Sequence, residues 1–320
     1  MVDAVVVGGG VIGLACAWRA QEAGLDVCVL ERDRVGSGAS RVAAGVLAPD
    51  TDLGRRSLEL YPRFVEELGA EVGFWRCGML TVAVDAPGGP LAPSECRALE
   101  PGLSDAVRGG MLSEHDASVD PRRLVDALAA RVEVREGVEV ASVARTSVTT
   151  RAGETIEAGR VVVCAGAWSG VVDVPVRPVK GQAVRLHGEL PSQRIVHSEH
   201  VYVVPRQDGE VVVGATVEER GFDTTVTAGA VQELLREACR ILPAVGELEV
   251  AGVSAGPRPG SPDDEPLLGE LESGVLVATG HFRNGILLAP VTAETIAAVL
   301  IGAEPPAESL PFTPERFARV

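Results

Sequence analysis

Val5-Val6-Val7-Gly8-Gly9-Gly10-Val11-Ile12-Gly13-Leu14 decides the fold of this chain. The β-branched run that leads into it from Ala4 reads as a strand buried on both faces, the pattern of a parallel sheet. Glycines 8, 10 and 13 turn the chain, and the apolar stretch Val11 to Ala23 predicts a helix that Gly24 ends. Val27-Cys28-Val29-Leu30-Glu31 then predicts a second parallel strand, completing a βαβ unit of about thirty residues. A Gly-x-Gly-x-x-Gly turn between strand and helix, with Glu31 eighteen residues after Gly13, is the arrangement expected to hold a dinucleotide. The glycines let a pyrophosphate approach the backbone and the helix pack closely. The helix N-terminus supplies positive potential, and the acid accepts from a ribose hydroxyl.

Working outward, a Gly- and Ala-rich loop from Gly36 to Leu47 precedes a helical stretch around Leu58 to Leu68. Asp120-Pro121 is an N-cap followed by proline at the first helical position, so a helix is expected over 120–131. Arg160-Val161-Val162-Val163-Cys164-Ala165-Gly166 reads as a strand returning to the parallel sheet, which makes the nucleotide domain discontinuous. From Val176 the texture changes to antiparallel strands, Val201 to Arg206 and Val211 to Ala215, joined by a turn at Asp208-Gly209. A helix is expected over 231–242, stopped by Pro243; a strand over 274–279; and a last helix over 292–301. The fold class is α/β: a Rossmann-like domain of residues 1–76, 112–175 and 256–320, and a mixed, largely antiparallel substrate domain of 77–111 and 176–255.

Composition narrows the function. With 320 residues, 46% apolar and 23% charged, the chain is an ordinary folded protein large enough for one or two cores. Its net charge of −16 repels polyanions, so nucleic acid is not expected as a partner. The uncharged run Ala4 to Trp18 is too short and too glycine-rich to span a bilayer, and neither an n-region nor a cleavage-like boundary precedes the glycine turn, so a cytoplasmic protein is expected. The six cysteines (Cys16, Cys28, Cys77, Cys96, Cys164, Cys239) show neither a CxxC pair nor metal spacing with histidine, and no metal site is expected. Lys180 is the only lysine.

Further segments extend the pattern: Ala43-Ala44-Gly45-Val46-Leu47, Val163-Cys164-Ala165-Gly166-Ala167-Trp168-Ser169, Pro178-Val179-Lys180-Gly181-Gln182, Tyr202-Val203-Val204-Pro205-Arg206, Val213-Gly214-Ala215-Thr216, Ala255-Gly256-Pro257-Arg258-Pro259-Gly260 and Gly280-His281-Phe282-Arg283-Asn284-Gly285-Ile286-Leu287-Leu288-Ala289-Pro290. In this order, over nearly the whole chain, they resemble the FAD-dependent D-amino-acid oxidase superfamily. The nearest members are glycine oxidases of the thiazole-biosynthesis type, with sarcosine oxidases more distant. The last two segments are the specific ones.

The resemblance implies FAD held by Gly8, Gly10, Val11, Ile12, Gly13, Glu31, Arg32, Ser40, Ala43, Ala44, Gly45, Val140, Ala165, Gly166, Trp168, Gly280, His281, Phe282, Arg283, Asn284, Gly285 and Ile286. It places Ala43 to Leu47 and Gly280 to Leu287 against the flavin ring, where backbone N–H groups would stabilise the anionic reduced form. Arg258 matches the arginine that grips a substrate carboxylate, Tyr202 a pocket tyrosine that hydrogen-bonds it, and Arg283 lies beside both flavin and carboxylate. His200 and His281 read as structural at least as readily as functional. No thiol lies between Gly256 and Gly269, so the FAD is expected to be noncovalent.

The activity implied is oxidation of glycine or an N-substituted glycine. Hydride leaves Cα for the flavin, the imine hydrolyses to glyoxylate and an amine, and O2 becomes H2O2. The setting is thiamine-thiazole or specialised biosynthesis. Partners would be an amino acid with a free carboxylate, O2 and, as is common in the family, further copies of the chain. Between Val84 and Pro93 the chain is shorter than the family pattern, which suggests a pocket open to a bulkier group on nitrogen, such as an N-carboxymethyl amino acid; simple loop trimming explains the shortening equally well. A dehydrogenase of the same fold feeding an electron carrier, and a flavoprotein with a vestigial substrate site, are the alternative readings. A nicotinamide enzyme lacks a second dinucleotide site here.

Overall fold

The computed structural model describes residues 2–317, which build two large sheets and the helices around them. In chain order the strands are β1 (Val2–Val7), β2 (Val27–Leu30), β3 (Val46–Leu47), β4 (Met79–Ala83), β5 (Gly109–Ser113), β6 (Ala117–Ser118), β7 (Glu133–Arg135), β8 (Val140–Ala144), β9 (Ser147–Thr150), β10 (Thr155–Val163), β11 (Arg177–His187), β12 (Ile195–His197), β13 (Tyr202–Pro205), β14 (Glu210–Gly214), β15 (Glu249–Gly260), β16 (Leu267–Glu270) and β17 (Leu276–Thr279). The α-helices are α1 (Val11–Glu22), α2 (Asp52–Leu68), α3 (Pro93–Leu99), α4 (Pro121–Ala129), α5 (Ala228–Ile241) and α6 (Gly285–Leu300).

The first sheet runs β16-β17-β10-β1-β2-β7, with β10 also pairing antiparallel with β9, which carries β8. At its centre β1 is parallel to both β2 and β10; Val5 is in register with Cys28 on one side and Val161 on the other. Helices α1 and α6 bury Leu14, Cys16, Trp18, Ala289, Ala293 and Ile296 in one core with β1 residues Ala4 and Val6. The second sheet runs β15-β11-β14-β13-β12-β4-β5, antiparallel except where β12 meets β4. Gly209 at φ +90° turns the β13–β14 hairpin. One face of this sheet packs Val184, Val203 and Val213 against Leu234, Ala238 and Ile241 of α5. The opposite face looks into a cleft shared with the first sheet.

Element limits differ from the sequence reading where tertiary partners override local pattern. The helix expected from Leu58 starts at Asp52, because Thr51 caps it by accepting from Gly54 N at 3.1 Å. The last helix begins at Gly285, not at 292. Pro290 supplies no N–H to Ile286 C=O, and that carbonyl instead accepts from Tyr61 Oη at 2.6 Å. Ser57 Oγ bridges the next gap, donating to Leu287 C=O at 2.6 Å and accepting from Val291 N at 3.3 Å. Two side chains of α2 thus repair the helix across its proline. The helices expected over 120–131 and 231–242 are α4 and α5, the latter capped by Thr227 accepting from Ala230 N. The strand expected over 160–166 is β10, which ends at Val163, and that over 274–279 is β17, which begins at Leu276 after a turn. The expected domain joints at 111/112 and 255/256 fall inside β5 and β15. No helix among the described residues is long and apolar enough to cross a membrane.

Candidate functional site

A cleft of about 1100 Å³ opens at the C-terminal ends of β1, β10 and β17 and runs to the inner face of the second sheet. Ligands of doubly wound sheets bind at this edge. The glycine turn lies at its base. Gly8 has φ +113°, and a Cβ on it would stand 2.4 Å from Cys164 C=O; a Cβ on Gly13 would stand 2.0 Å from Gly8 C=O. Strand, turn and helix therefore approach more closely than any side chain permits. Glu31 Oε2 accepts from Gly9 N at 2.7 Å, which sets the carboxylate beside the turn, and Ser40 Oγ accepts from Val11 N at 3.0 Å. Among the described residues the N–H groups of Gly10 and Ile12 have no acceptor.

The same holds where two further segments meet the cleft. The N–H groups of Ala44 and Gly45, and those of Gly285 and Ile286 in the uncapped first turn of α6, find no protein acceptor. Such orphaned donors, with a helix terminus behind two of the sets, suit an anionic and hydrogen-bond-accepting ligand the length of a dinucleotide. The residues present therefore fit FAD. Ala165, Gly166 and Trp168 follow β10 along one wall with Val140; the Arg32 guanidinium stacks 4.4 Å from the Trp168 ring centroid, and Phe222 stacks on the same ring.

The turn between β17 and α6 is sewn to the second sheet. Phe282 N donates to Pro259 C=O at 2.9 Å and sits at φ +43°, a left-handed backbone that a non-glycine residue adopts only when held there. His281 is buried, with Nε2 3.0 Å from Thr292 Oγ1, and burial pushes its pKa down to about 3, so its ring is neutral and braces α6. Arg283 is exposed to the cleft and forms no hydrogen bond or ion pair among the described residues.

Arg258 is carried by β15, beside β11. Its half-buried guanidinium lies over Gly181, where a Cβ would stand 2.2 Å from Cζ, Nη1 and Nη2. Nη1 donates to Thr216 C=O at 2.9 Å and to Lys180 C=O at 3.4 Å. No carboxylate of the described residues pairs with it, and burial pulls its pKa down. Tyr202 opens β13 directly opposite Gly214, and its ring fills the space a side chain there would take, 2.6 Å from that Cβ position to Oη. Burial raises the Tyr202 pKa against the lowering effect of Arg258 and Arg283. The hydroxyl stays protonated and available to donate.

Strand register shows a residue that the sequence reading missed. Thr81, His197, Tyr202, Gly214 and Ala183 stand in one ladder row across β4, β12, β13, β14 and β11, and all but Gly214 line the cleft. Burial, and then Arg283, lower the pKa of His197, leaving a neutral imidazole next to Tyr202. Only the register could have found it. His200, by contrast, points outward and meets Asp85 at 3.1 Å, which also takes Arg240; these contacts hold the short segment after β4.

The family pattern described as "FAD dependent oxidoreductase" matches residues 3–299. A "Bifunctional protein ThiO/ThiG" from Synechocystis sp. is 36% identical over 98% of this chain, and the chain spans about half of that protein, 54% of its length. The crystal structure of a glycine oxidase from Geobacillus kaustophilus superposes with a TM-score of 0.91 at 31% identity, covering 98% of each chain. That of an iminodiacetate oxidase from Chelativorans sp. BNC1 gives 0.86 at 25% identity, covering 97% of this chain and 98% of the other.

Proposed function

Because this chain belongs to the FAD dependent oxidoreductase family, with FAD as its cofactor, we propose that it oxidises glycine or an N-substituted glycine at the carbon between carboxylate and nitrogen. The observation that carries the reading is Arg258, a half-buried cation at the substrate end of the cleft with carbonyls but no carboxylate paired with it. A partly desolvated charge without a counter-ion is costly, and a substrate carboxylate supplies one in the bidentate geometry that guanidinium favours. Tyr202 donates its hydroxyl to the same carboxylate. Gly181 and Gly214 leave room for both side chains in these positions.

FAD, when bound, accepts the hydride from Cα. The chain's own part is to bind and orient: Arg258 and Tyr202 fix the carboxylate, the walls exclude water, and no group is required to take a proton if the amine arrives neutral. His197, neutral by virtue of its burial, adds no charge near that amine. Hydrolysis of the imine then gives glyoxylate and an amine, and O2 is reduced to H2O2. FAD is held noncovalently.

Arg283 favours the N-substituted substrate. A second guanidinium in the pocket, without a partner, suits a second carboxylate such as that of an N-carboxymethyl amino acid, and a structural relative is named an iminodiacetate oxidase. The test is anaerobic titration of the purified protein, following flavin absorbance near about 450 nm, with glycine, sarcosine and an N-carboxymethyl amino acid. Bleaching by the last at the lowest concentration supports the reading; bleaching by none of them refutes it. Peroxide release in air separates an oxidase from a dehydrogenase.

A further inference from the structure

Beneath the loop Arg41 to Gly45 lies a cluster of charged groups that substrate binding does not use. Arg185 on β11 and Arg206, which follows β13, are 2% and 5% exposed. Both pair with one carboxylate: Arg185 Nη1 and Arg206 Nε each donate to Glu210 Oε2 at 2.8 Å. Their remaining donors converge on the loop. Arg185 Nη2 reaches Arg41 C=O and Ala43 C=O, both at 3.2 Å, while Arg206 Nη2 donates to Ala44 C=O and Nη1 to Val119 C=O, both at 2.8 Å. Arg122 adds a third cation, 3.8 Å from Glu210 Oε1 and donating from Nε to Arg41 C=O at 3.4 Å.

Two consequences follow. The carbonyls of Arg41, Ala43 and Ala44 are drawn to the arginine side, and the N–H groups of Ala44 and Gly45 are left without a protein acceptor on residues that line the cleft. In addition, three arginines face two carboxylates, those of Glu210 and Asp120, while the outer cations Arg41 and Arg123 are paired with Asp126 and Asp208. Arg185 and Arg206 lie in a poorly solvated region, where Coulomb interactions extend further than in water, whereas the Arg122 side chain is 44% exposed and is screened by solvent.

We propose that Arg185 and Arg206, sharing Glu210, are positioning residues for the cofactor: they aim the Ala44 and Gly45 N–H groups into the cleft and place surplus positive charge behind the flavin, favouring its anionic reduced state. The inference rests on the reading that the flavin ring lies against Ala43 to Gly45. Neutral donors could hold three carbonyls equally well; the charge is what separates this device from a structural clamp.

The test measures the two-electron reduction potential of the flavin in purified holoenzyme variants, with FAD affinity alongside. Arg185→Met removes positive charge and lowers the equilibrium constant for reduction about tenfold, a downward shift of about 30 mV for two electrons. Arg185→Lys recovers most of it. Glu210→Gln enlarges the surplus and shifts the potential upward, with the loop's arginine donors still present. Loosening of the loop alone would move both variants the same way. Equal potentials in all variants, or shifts of the same sign, overturn the proposal; if Arg185→Met does not fold, the direction for Glu210→Gln decides alone. The potentials are read without substrate, so failure of every N-substituted glycine to bleach the flavin would remove the substrate reading and leave this one standing.

Discussion

Gly181→Ala separates substrate binding from folding. Gly181 lies in the middle of β11, in register with Gly256 and outside the left-handed region, so alanine suits its backbone and even gains about 0.5–1 kcal/mol over glycine in a strand. The new Cβ, however, would stand 2.2 Å from three atoms of the Arg258 guanidinium, which Thr216 C=O and Lys180 C=O hold in place. Ordinary contact requires a retreat of more than about 1 Å, enough to spoil bidentate geometry. Hydrogen bonds to charged groups contribute about 1.5–3 kcal/mol, so kcat/KM falls roughly 10- to 150-fold at about 1.4 kcal/mol per factor of ten. The grip exists in ground and transition states alike, which puts most of the loss in KM. Steady-state kinetics, with the dissociation constant of a small carboxylate inhibitor read from the flavin spectrum, measures both. A folded Gly181→Ala protein with kcat/KM within about threefold of the parent would refute the placement of Arg258 as the carboxylate anchor.

Other outcomes are equally specific. Tyr61→Phe strips the Ile286 carbonyl of its donor in a buried site, and urea unfolding of the apoprotein should show a loss of about 1–3 kcal/mol. Glu31→Gln weakens FAD binding about tenfold with little change in substrate KM, measured by flavin fluorescence on dilution, because the neutral amide is the poorer acceptor for a ribose hydroxyl. His281 has a folded pKa of about 3 against an ordinary value of 6.5, so the unfolded state binds the extra proton between them. Its stability contribution is complete above about pH 6.5 and is lost as pH falls, by up to about 1.4 kcal/mol per unit. Acid titration of His281→Gln should therefore show a shallower decline between about pH 6 and 4 than the parent, and an identical slope would count against it.

Half of the first sheet, strands β1, β2, β10 and β17, was legible because these are β-branched runs and because Gly8 and Gly13 leave no room for a side chain; β7, β8, β9 and β16 carry no such run and were not legible. Of the second sheet, the hairpin of β13 and β14 was legible from alternation and from Asp208-Gly209. What the sequence concealed depends on partners distant in the chain. Pro290 reads locally as a helix breaker, and nothing near it announces that Ser57 and Tyr61 carry the helix across. The first turn of α2 is polar, so the apolar stripe alone begins it a turn and a half late. Arg258 and Tyr202 were found by their resemblance to a family, but Gly181 and Gly214 entered only as members of family segments, and that they make space for the two side chains shows only in the folded sheet. His197 had no local signature, since its place in the pocket comes from a ladder row spanning five strands. Arg185 and Arg206 carry no local sign of burial, which comes from the loop that closes over them.

Lys180, the only lysine, is 1% exposed in β11, with Nζ 2.7 Å from Asp223 Oδ2 and its backbone bonded to Glu218 and Pro257's strand. A protease that cleaves only after lysine thus has a single target, enclosed in the second strand of a seven-stranded sheet, between β15 and β14. Cleavage there requires β11 to leave the sheet, so one cut, into residues 1–180 and 181–320, gauges the opening of the whole second lobe. The molecule carries its own meter of cooperative unfolding, readable on a gel, and occupancy of the cleft should slow the clock.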